Sequence, residues 1–589
     1  MKPIHDLLKT VKGGGIPRLL ASWLMLLTYY ALRYPHRLGS VSFTEKISLV
    51  SFLITVAILY LVLSLMALII HSTAADSWAL GTAAFLYATT IAITARSLYV
   101  GLGVCLVLGI LLWYLFSRKG GGLALSPKQT IPLAVLATVL FAAFTATVTV
   151  LRYMTFRAPA FDFGVFVNMF HNMKERLLPL TTIERDGLLS HFAVHVSPVY
   201  YLILPFYSLF PSPITLQIAQ AVILASGVIP LYLLSRKLQF SHGATLFWCC
   251  AYAFYPALAG GCFFDLHENA FLTPFLLWLF YALETKKTVP LYLFALLTLT
   301  VKEDAAVYVA FLALFLLIDK RQYRHGTALL FLSVSCFLLE SFLLAHYGEG
   351  IMNYRYHGYF NGDGSMVDVL LNLLRNPSLV FQYIITPERL EFLLLMLIPL
   401  LGLPLLFGRR PSRLLLIGPF LLVNLMPQYD YQYSIFFQYA FGSLAFLFYA
   451  AMLNASEKRT PAKHAMPILC AAFALMLSFS SVLPRGEVLE DYRQNRETYQ
   501  ALEAYLALVP EDASVKASTF LVPHLAQRKE IYGMDTKHPT DWVVIDLRYP
   551  TWESAQETDE ALQQDPAFVQ LARQEGLVAI YQRINTIND

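Results

Sequence analysis

Asp162 is the first residue whose surroundings suggest chemistry. It stands between two phenylalanines and is followed by Gly164 in the motif FDFG at residues 161–164. A carboxylate in such an aromatic setting could act as a general base or as a metal ligand at the membrane surface. It could instead cap the helix that the sequence predicts from residue 165 to 173. The residues alone leave both interpretations open.

His191 and His195 form the second feature of this kind. They are four positions apart, a spacing that places two side chains on the same face of an α-helix. Two imidazoles on one face could bind a metal ion or a phosphate group. They could equally donate hydrogen bonds to backbone carbonyl groups. The chain has no HExxH motif, so the pair does not indicate a zinc protease of that class.

Asp265, His267 and Glu268 form a cluster of ionisable residues between two apolar segments. A charge at membrane depth costs roughly 2.5–3.5 kcal/mol on insertion scales, so such residues are usually paired or functional. Because the flanking segments are short, we expect this cluster near the outer boundary of the hydrocarbon layer. It is either part of a reactive site or a structural ion-pair network.

Lys302 begins a second cluster, which continues with Glu303 and Asp304. Its ammonium group is suited to pair with a phosphate group, and the topology places Arg152 and Arg157 nearby. A structural ion-pair network is again the alternative.

Aromatic residues are concentrated in two further stretches, residues 354–359 and residues 428–433, the second of which contains Tyr433. Tyrosines at a membrane interface usually form an aromatic belt. They also stack on sugars, so Tyr433 is both a belt residue and a predicted sugar contact.

The elements that must position these residues are membrane helices. The chain has 589 residues, of which 57% are hydrophobic and only 14% are charged. A soluble domain carries about 25% charged residues. About fifteen apolar segments approach the ~20 residues that a spanning helix needs. Their limits are near 16–33, 47–71, 77–95, 97–116, 131–151, 213–235, 243–260, 270–284, 289–303, 305–318, 326–346, 391–408, 414–427, 435–453 and 464–483.

Basic residues occur in every second loop, as at Lys286 and Lys287, and Lys2, Lys9 and Lys12 precede the first segment. The positive-inside rule places these loops and the N-terminus in the cytoplasm. The sequence therefore predicts a multi-pass protein of the cell (inner) membrane. All the clusters described above then fall on the extracytoplasmic face.

Three regions are expected. Residues 1–130 are accessory transmembrane helices, and residues 131–483 are a transmembrane core with outward loops at 152–212 and 347–390. Residues 484–589 have ordinary polarity and are predicted to form a small extracytoplasmic α/β domain. Its predicted strands are 514–518, 542–547 and 577–582, and its predicted helices are 489–508 and 558–573. The second helix is either continuous or broken at Pro566.

Several classes of protein lack support. There is no Walker A loop and no GxGxxG motif on a strand–helix turn, so no nucleotide or redox cofactor is expected. There is no basic patch typical of nucleic-acid binding, and no nucleic-acid partner is expected. The six cysteines lie in apolar segments without CxxC spacing and are interpreted as buried thiols.

Taken in chain order, the motifs resemble those of a prokaryotic family of predicted membrane proteins of unknown function that is grouped with the GT-C glycosyltransferases. The resemblance covers roughly residues 131–550. Its motifs are FDFGVF at 161–166, His191 with HVSP at 195–198, LPFY at 204–207, LHENAF at 266–271, KED at 302–304, ASVKAS at 513–518, and PHL at 523–525 with Arg528. It implies an all-α, GT-C-like polytopic membrane protein with the small C-terminal α/β domain.

GT-C enzymes take a sugar from a polyprenyl-phosphate donor on the extracytoplasmic face, so the resemblance also implies roles for residues. Asp162 and Glu268 are the expected catalytic carboxylates, and with His267 they are the expected ligands of a divalent metal. Asp162 is not part of a DxD or Asp-Glu pair, which sets this chain apart from a metal-binding pattern. The expected substrate-binding residues are His191, His195, Lys302, Arg157 and Tyr433.

The sequence leaves three functions open. The first is a glycosyltransferase whose partners are membrane lipids, a polyprenyl-phosphate-linked sugar and an acceptor that the sequence does not identify. The second is a transporter or flippase for a lipid-linked or anionic solute, which should place ionisable residues near the membrane midplane on repeated halves. The third is a non-catalytic scaffold of envelope assembly, which predicts that Asp162, His267 and Glu268 do not converge.

Overall fold

The computed structural model describes residues 15–70, 73–95, 97–117, 122–350, 352–362, 364–408 and 410–584. The N-terminal lysines Lys2, Lys9 and Lys12 lie outside the described residues. The described chain is mostly helical, with its strands concentrated near the C-terminus.

Four helices precede the core and form a packed group of their own. Buried Arg18 is paired with Asp76, with 2.7 Å between Nε and Oδ1. The group packs on the core through the helix Thr460–Ser481, whose Ala465, Ile468 and Met476 share one apolar cluster with it. The four helices are Gly15–Arg33, Leu49–Ile70, Thr73–Ala95 and Leu98–Phe116.

The core contains the helices that flank the clusters of ionisable residues. Eight of the described helices, counting those of the N-terminal group, are long and apolar enough to cross a membrane. The core helices are Pro127–Met154, Pro213–Ser226, Val228–Lys237, His242–Ala253, Pro256–Cys262, Leu272–Glu284, Thr288–Leu299, Ala305–Ile318, Tyr323–Tyr347, Pro387–Leu397, Phe441–Ser456 and Thr460–Ser481.

The number of full-length spans differs from the expected fifteen because several apolar segments are interrupted. The segment predicted at 391–408 ends as an α-helix at Leu397 and continues as short 3-10 turns at Ile398–Leu400 and Leu403–Leu405. The segment predicted at 414–427 is 3-10 and π-helical. Prolines at the starts of these turns remove backbone donors, and Gly402 adopts a left-handed conformation (φ +61°).

The outward loops are structured rather than open. The first contains the π-helical turn Ala160–Gly164, the helix Val165–Arg176 and the two-stranded ribbon of β1 (Leu180–Thr181) and β2 (Leu189–Ser190). The remaining outward elements are the 3-10 turns His191–Ala193, Pro198–Leu202 and Asn353–Tyr359 and the helices Leu204–Leu209, Met366–Arg375 and Ser378–Ile384.

The C-terminal region is an α/β unit, as predicted. Its five strands are ordered β4-β3-β5-β7-β6, with β3 parallel to β4 and β5, and β7 antiparallel to β5 and β6. The strands are β3 (Val515–Ala517), β4 (Ile531–Tyr532), β5 (Trp542–Asp546), β6 (Phe568–Gln574) and β7 (Val578–Arg583). The helices are Val488–Gln494, Arg496–Leu506, Val522–Leu525 and Ala555–Gln564.

One predicted helix of this region is broken at Pro566, and the residues after the break were wrongly predicted as helical. The segment 558–573 is helical only to Gln564 and then forms β6, because Pro566 ends the helix and the residues after it pair with β7.

The C-terminal unit is joined to the first outward loop by buried hydrogen bonds. The Asn168 amide donates to the carbonyls of Ala526 and Arg528, at 3.1 and 2.8 Å. The Thr182 hydroxyl donates to the Ile531 carbonyl at 2.6 Å. The loop that carries Asp162 is therefore supported by the C-terminal unit as well as by the membrane core.

Candidate active site

One cavity of about 450 Å³ collects most of the residues that the sequence singled out. It opens between the first outward loop, the turn before the helix Leu272–Glu284, the start of the second outward loop and the aromatic turn after residue 428. The predicted residues that line it are Asp162, His191, His195, His267, Glu268 and Lys302.

The turn that holds Asp162 is fixed by the C-terminal unit. The Ala160 amide donates to the hydroxyl of Thr519 at 3.2 Å. Gly164 lets Val522 approach, since a β-carbon at Gly164 would lie only 2.9 Å from the Val522 side chain. Asp162 does not cap the following helix, which begins without any side-chain cap. Its carboxylate instead lines the cavity, with 38% of the side chain exposed.

Asp265 positions the turn that carries His267 and Glu268. Its buried carboxylate is paired with Arg152 and accepts a hydrogen bond from Gln217 at 2.7 Å. The Gln220 side chain accepts from the His267 amide at 2.7 Å. Asp265 itself has a left-handed backbone (φ +83°). It is therefore a structural residue, and Arg152 is its partner rather than a phosphate ligand.

Asp162 and His267 form a pair in which both ring nitrogens of the histidine face acceptors. Nε2 lies 3.3 Å from Oδ2 of Asp162, and Nδ1 lies 3.3 Å from the Asp265 carbonyl oxygen. Burial disfavours the charged forms of both residues. The mutual hydrogen bond and charge outweigh burial, so they lower the pKa of Asp162 and raise the pKa of His267. The contact therefore favours the charged form of both residues.

Glu268 and Lys302 form a second, more deeply buried pair. Lys302 Nζ lies 3.0 Å from Glu268 Oε1, and the Tyr200 hydroxyl donates to Glu268 Oε2. Burial would raise the pKa of Glu268 and lower the pKa of Lys302. Their mutual attraction outweighs burial, so the pKa of Glu268 is held well below its usual value and that of Lys302 above it. Both groups remain charged within the cavity wall.

The two histidines of the sequence pair also meet, although not on an α-helix. His191 begins a 3-10 turn that ends at Ala193, and the ring centres of His191 and His195 are 5.9 Å apart. Nδ1 of His191 lies 2.8 Å from Glu184, and Nδ1 of His195 lies 2.9 Å from Glu303.

The electrostatic setting of His195 favours its neutral form. Burial, together with the positive charge of Lys302, lowers the pKa of His195. Burial would raise the pKa of Glu303, but His195 and Lys302 lower it to about 2. His195 thus presents an uncharged ring beside the charged pair of Glu268 and Lys302.

Arg355 is a cavity residue that the sequence motifs did not single out. It lines the cavity and lies over the rings of Tyr429 and Tyr439, at 4.7 and 5.3 Å from the ring centres. No carboxylate of the described residues forms an ion pair with its guanidinium. Its presence within an aromatic stretch of an outward loop was the available signal, because an arginine there has aromatic rings to stack on.

A second chamber, of about 160 Å³, adjoins the first and shares Lys302 and Arg355 with it. Its other walls are mostly apolar and include Val307, Phe337 and Leu422, although Glu303 and Asp304 also line it. Lys302 and Arg355 therefore stand between a polar cavity and a smaller one whose walls are mostly apolar.

A family model described as "Predicted membrane protein (DUF2079)" matches residues 152–578, which include every residue that lines the main cavity. The chain belongs to this family. The relationship to a family of predicted membrane proteins that the motifs indicated is thereby confirmed.

The DUF2079 protein is similar in structure to ArnT from Cupriavidus metallidurans bound to undecaprenyl phosphate, with a TM-score of 0.46 and 10% sequence identity. The similarity covers 78% of this chain and 99% of that chain. It is also similar to the arabinofuranosyltransferase AftD from Mycobacteria, with a TM-score of 0.44 and 12% identity, over 78% of this chain and 40% of that chain. Among curated proteins, none matches.

Two of the expected substrate-binding residues of the DUF2079 protein lie outside the cavity. Arg157 is paired with Asp491 of the C-terminal unit, with 3.0 Å between Nη2 and Oδ2. The Tyr433 hydroxyl donates to Asp430, and its ring packs under the guanidinium of Arg389 at 4.2 Å. The aromatic turn instead contributes Tyr429 and Tyr431 to the cavity.

The three expected metal ligands, Asp162, His267 and Glu268, are engaged with different partners. Among the described residues, no group of three or more His, Cys, Asp or Glu side chains is arranged to hold a metal ion. Asp162 and His267 contact each other, whereas Glu268 is directed to Lys302 and Tyr200. A cation bound by Glu268 would adjoin the ammonium of Lys302 and be repelled by it.

Proposed function

We propose that this DUF2079 protein is a membrane glycosyltransferase that moves a sugar from a polyprenyl-phosphate donor to a hydroxyl group of an acceptor. The observation that carries the proposal is the convergence of one accessible carboxylate, Asp162, with the cations Lys302 and Arg355 on one cavity. A further cation of the lining, Arg185, is paired with Glu349. A scaffold has no need for that convergence. The motif resemblance favours the same chemistry.

The two cations are suited to bind the donor phosphate. The charge of Lys302 is balanced by Glu268, so Arg355 supplies the positive charge that has no carboxylate partner in the described part of the chain. A guanidinium is well matched to phosphate oxygens, and charge-assisted hydrogen bonds of this kind are stronger than neutral ones. The adjoining apolar chamber is suited to the first prenyl units of the donor.

Asp162 is assigned as the general base. The acceptor oxygen attacks the anomeric carbon, and the bond from that carbon to the donor phosphate oxygen breaks. The acceptor proton passes to the Asp162 carboxylate, and polyprenyl phosphate leaves with the electron pair of the broken bond. Lys302 and Arg355 stabilise the negative charge that develops on the leaving phosphate.

The remaining members of the cavity are positioning residues in this mechanism. His267 holds the Asp162 carboxylate in its charged form and fixes its orientation. Glu268 was expected to be catalytic, but it is nearly fully buried, and its function is to orient Lys302. Tyr429 and Tyr431 present rings on which a sugar can stack.

The placement of the site matches a donor carried by a membrane lipid. The site lies in loops at the ends of apolar helices, beside a chamber with apolar walls. The alternation of basic loops assigns this side to the extracytoplasmic face. The acceptor can be a lipid, a glycan or a protein.

The test is sugar transfer by purified protein in lipid nanodiscs, using a panel of polyprenyl-phosphate sugars. Asp162→Asn should lower the transfer rate by about 100-fold or more, the range of general-base contributions. Asp512→Asn is the matched control, since Asp512 is an exposed carboxylate of the C-terminal unit outside the cavity lining, and it should leave the rate unchanged. Equal rates for Asp162→Asn and wild type would remove Asp162 from the mechanism. Absence of transfer across the panel, with movement of the lipid-linked sugar between leaflets, would replace the proposal with transport.

A further inference from the structure

A second polar cavity, of about 390 Å³, lies at the opposite end of the helices that carry the site. The helix Leu272–Glu284 begins just after Glu268 and leads away from it, and the helix Thr288–Leu299 returns towards Lys302. The new cavity lies at the connection between them. A helix of this length rises about 20 Å, so the two cavities are separate sites.

The lining of this cavity carries cations and no carboxylate. The basic residues are Lys286, Lys287, Arg324 and His325. The nearest acidic residue along the chain, Glu284, is already paired with Lys320 at 2.7 Å. The cationic charge is therefore not neutralised within the cavity.

Two helix N-termini open onto the same cavity. Thr288 begins one helix, and Tyr323 begins the helix Tyr323–Tyr347; both line the cavity. Neither helix has a side-chain cap, because Lys287 and Gln322 make no capping hydrogen bond. Uncapped backbone N–H groups and the positive end of the helix dipole both favour an anion. The cavity is therefore bordered by two helix N-termini and by four basic side chains.

The surroundings indicate an anion that belongs to a lipid. Leu283 and Leu291 form an apolar floor to the cavity. From its edge, Val289, Leu293 and Leu296 form an exposed apolar stripe along one helix. Exposed apolar residues on a membrane helix face lipid chains. An acyl chain could follow this stripe while its headgroup occupies the cavity.

We propose that this cavity binds a phosphate group, supplied by an anionic membrane lipid of the leaflet opposite the transfer site. Lys286, Lys287 and Arg324 surround the phosphate, and the N–H groups at Thr288 and Tyr323 donate to it. The proposal is independent of the function assigned to the Asp162 cavity.

Native mass spectrometry of the full-length protein, after equilibration with phosphatidylglycerol or with phosphatidylcholine, tests the proposal. Wild type should retain phosphatidylglycerol in preference to phosphatidylcholine. The variant K286Q/K287Q should reduce that retention by about 30-fold, given roughly 1 kcal/mol for each of the two basic residues near a membrane surface. Both lysines are exposed, so the variant should fold.

The control variant K237Q/K458Q removes two exposed lysines that do not line the cavity and should retain phosphatidylglycerol as wild type does. A second arm measures binding of inorganic phosphate to lipid-depleted protein. Binding of inorganic phosphate that is lost in K286Q/K287Q supports the phosphate site and identifies a soluble source. Equal retention of phosphatidylglycerol by wild type and K286Q/K287Q, with no binding of inorganic phosphate, would overturn the proposal.

Discussion

Nε2 of His267 lies 3.3 Å from Oδ2 of Asp162, although more than a hundred residues separate the two in the chain. One comes from a loop braced by the C-terminal unit and the other from a turn fixed by Asp265. This contact joins the loop that carries Asp162 to the turn that carries His267. It keeps the carboxylate charged in surroundings that would otherwise favour its neutral form.

The pH dependence of transfer should report this contact. A general base works only when deprotonated, so activity falls as pH drops through the pKa of Asp162. His267 lowers that pKa in wild type. In His267→Gln the positive charge is lost while burial remains, so the pKa of Asp162 rises and the acidic limb of the pH–rate profile moves to higher pH. A profile of kcat/KM against pH for both proteins measures the shift. An unchanged acidic limb would show that His267 does not act on the base.

Losing one charge of the Glu268–Lys302 pair should destabilise the protein more than losing both. Lys302→Met leaves the Glu268 carboxylate buried and unpaired, which should cost about 3 kcal/mol or more. E268Q/K302M removes both charges and should recover most of that loss, yet transfer should stay low because the phosphate ligand is absent. Thermal unfolding in nanodiscs and transfer assays measure the two effects. The control is Lys174→Met, whose exposed ion pair should contribute little. A double variant as unstable as Lys302→Met would contradict the assigned pairing.

Asp304 should make stability decrease as the pH rises. Burial raises the pKa of this carboxyl to about 6. A carboxyl whose pKa is raised on folding favours the folded state most below its ordinary pKa, and this contribution is lost as pH rises through about 6. Asp304→Asn should therefore raise the apparent Tm relative to wild type more at pH 7.5 than at pH 5. Asp368→Asn, at an exposed carboxylate that caps its own helix, should not show that pattern. A difference independent of pH would assign Asp304 another role.

Treatment with a chelator should leave transfer unchanged. The residues expected to bind a metal are engaged with each other or with Lys302, and the charge on the leaving phosphate is instead met by Lys302 and Arg355. Incubation with EDTA, followed by assay with and without added Mg²⁺ or Mn²⁺, provides the measurement. Activity lost to EDTA and restored by one of these ions would require a rearranged site with a metal in it.

Much of this site could be predicted from the sequence, because charges in an apolar chain are few and costly. Asp162, His267, Glu268 and Lys302 stood out for that reason, and the structure places all of them in one cavity. The alternation of basic loops indicated that these segments share one face. Three of the five C-terminal strands, β3, β5 and β7, were predicted from the sequence, whereas β4 and β6 were not.

The sequence could not predict which residue each charged side chain contacts. Arg157 and Arg355 are both arginines of outward loops, yet one pairs with Asp491 and the other stacks between tyrosines. Arg157 meets Asp491 only because the C-terminal unit packs against its loop. The divided helices after Leu397 were hidden for a related reason, since hydropathy does not register where prolines interrupt an apolar run.

The most direct test of the central claim is a cryo-electron microscopy structure of the protein in nanodiscs with polyprenyl phosphate. We expect density for the phosphate between Lys302 and Arg355, within hydrogen-bond distance of both, with the prenyl chain entering the mostly apolar chamber that they border. Clear density for the phosphate elsewhere, with these two residues arranged as they are here, would contradict it.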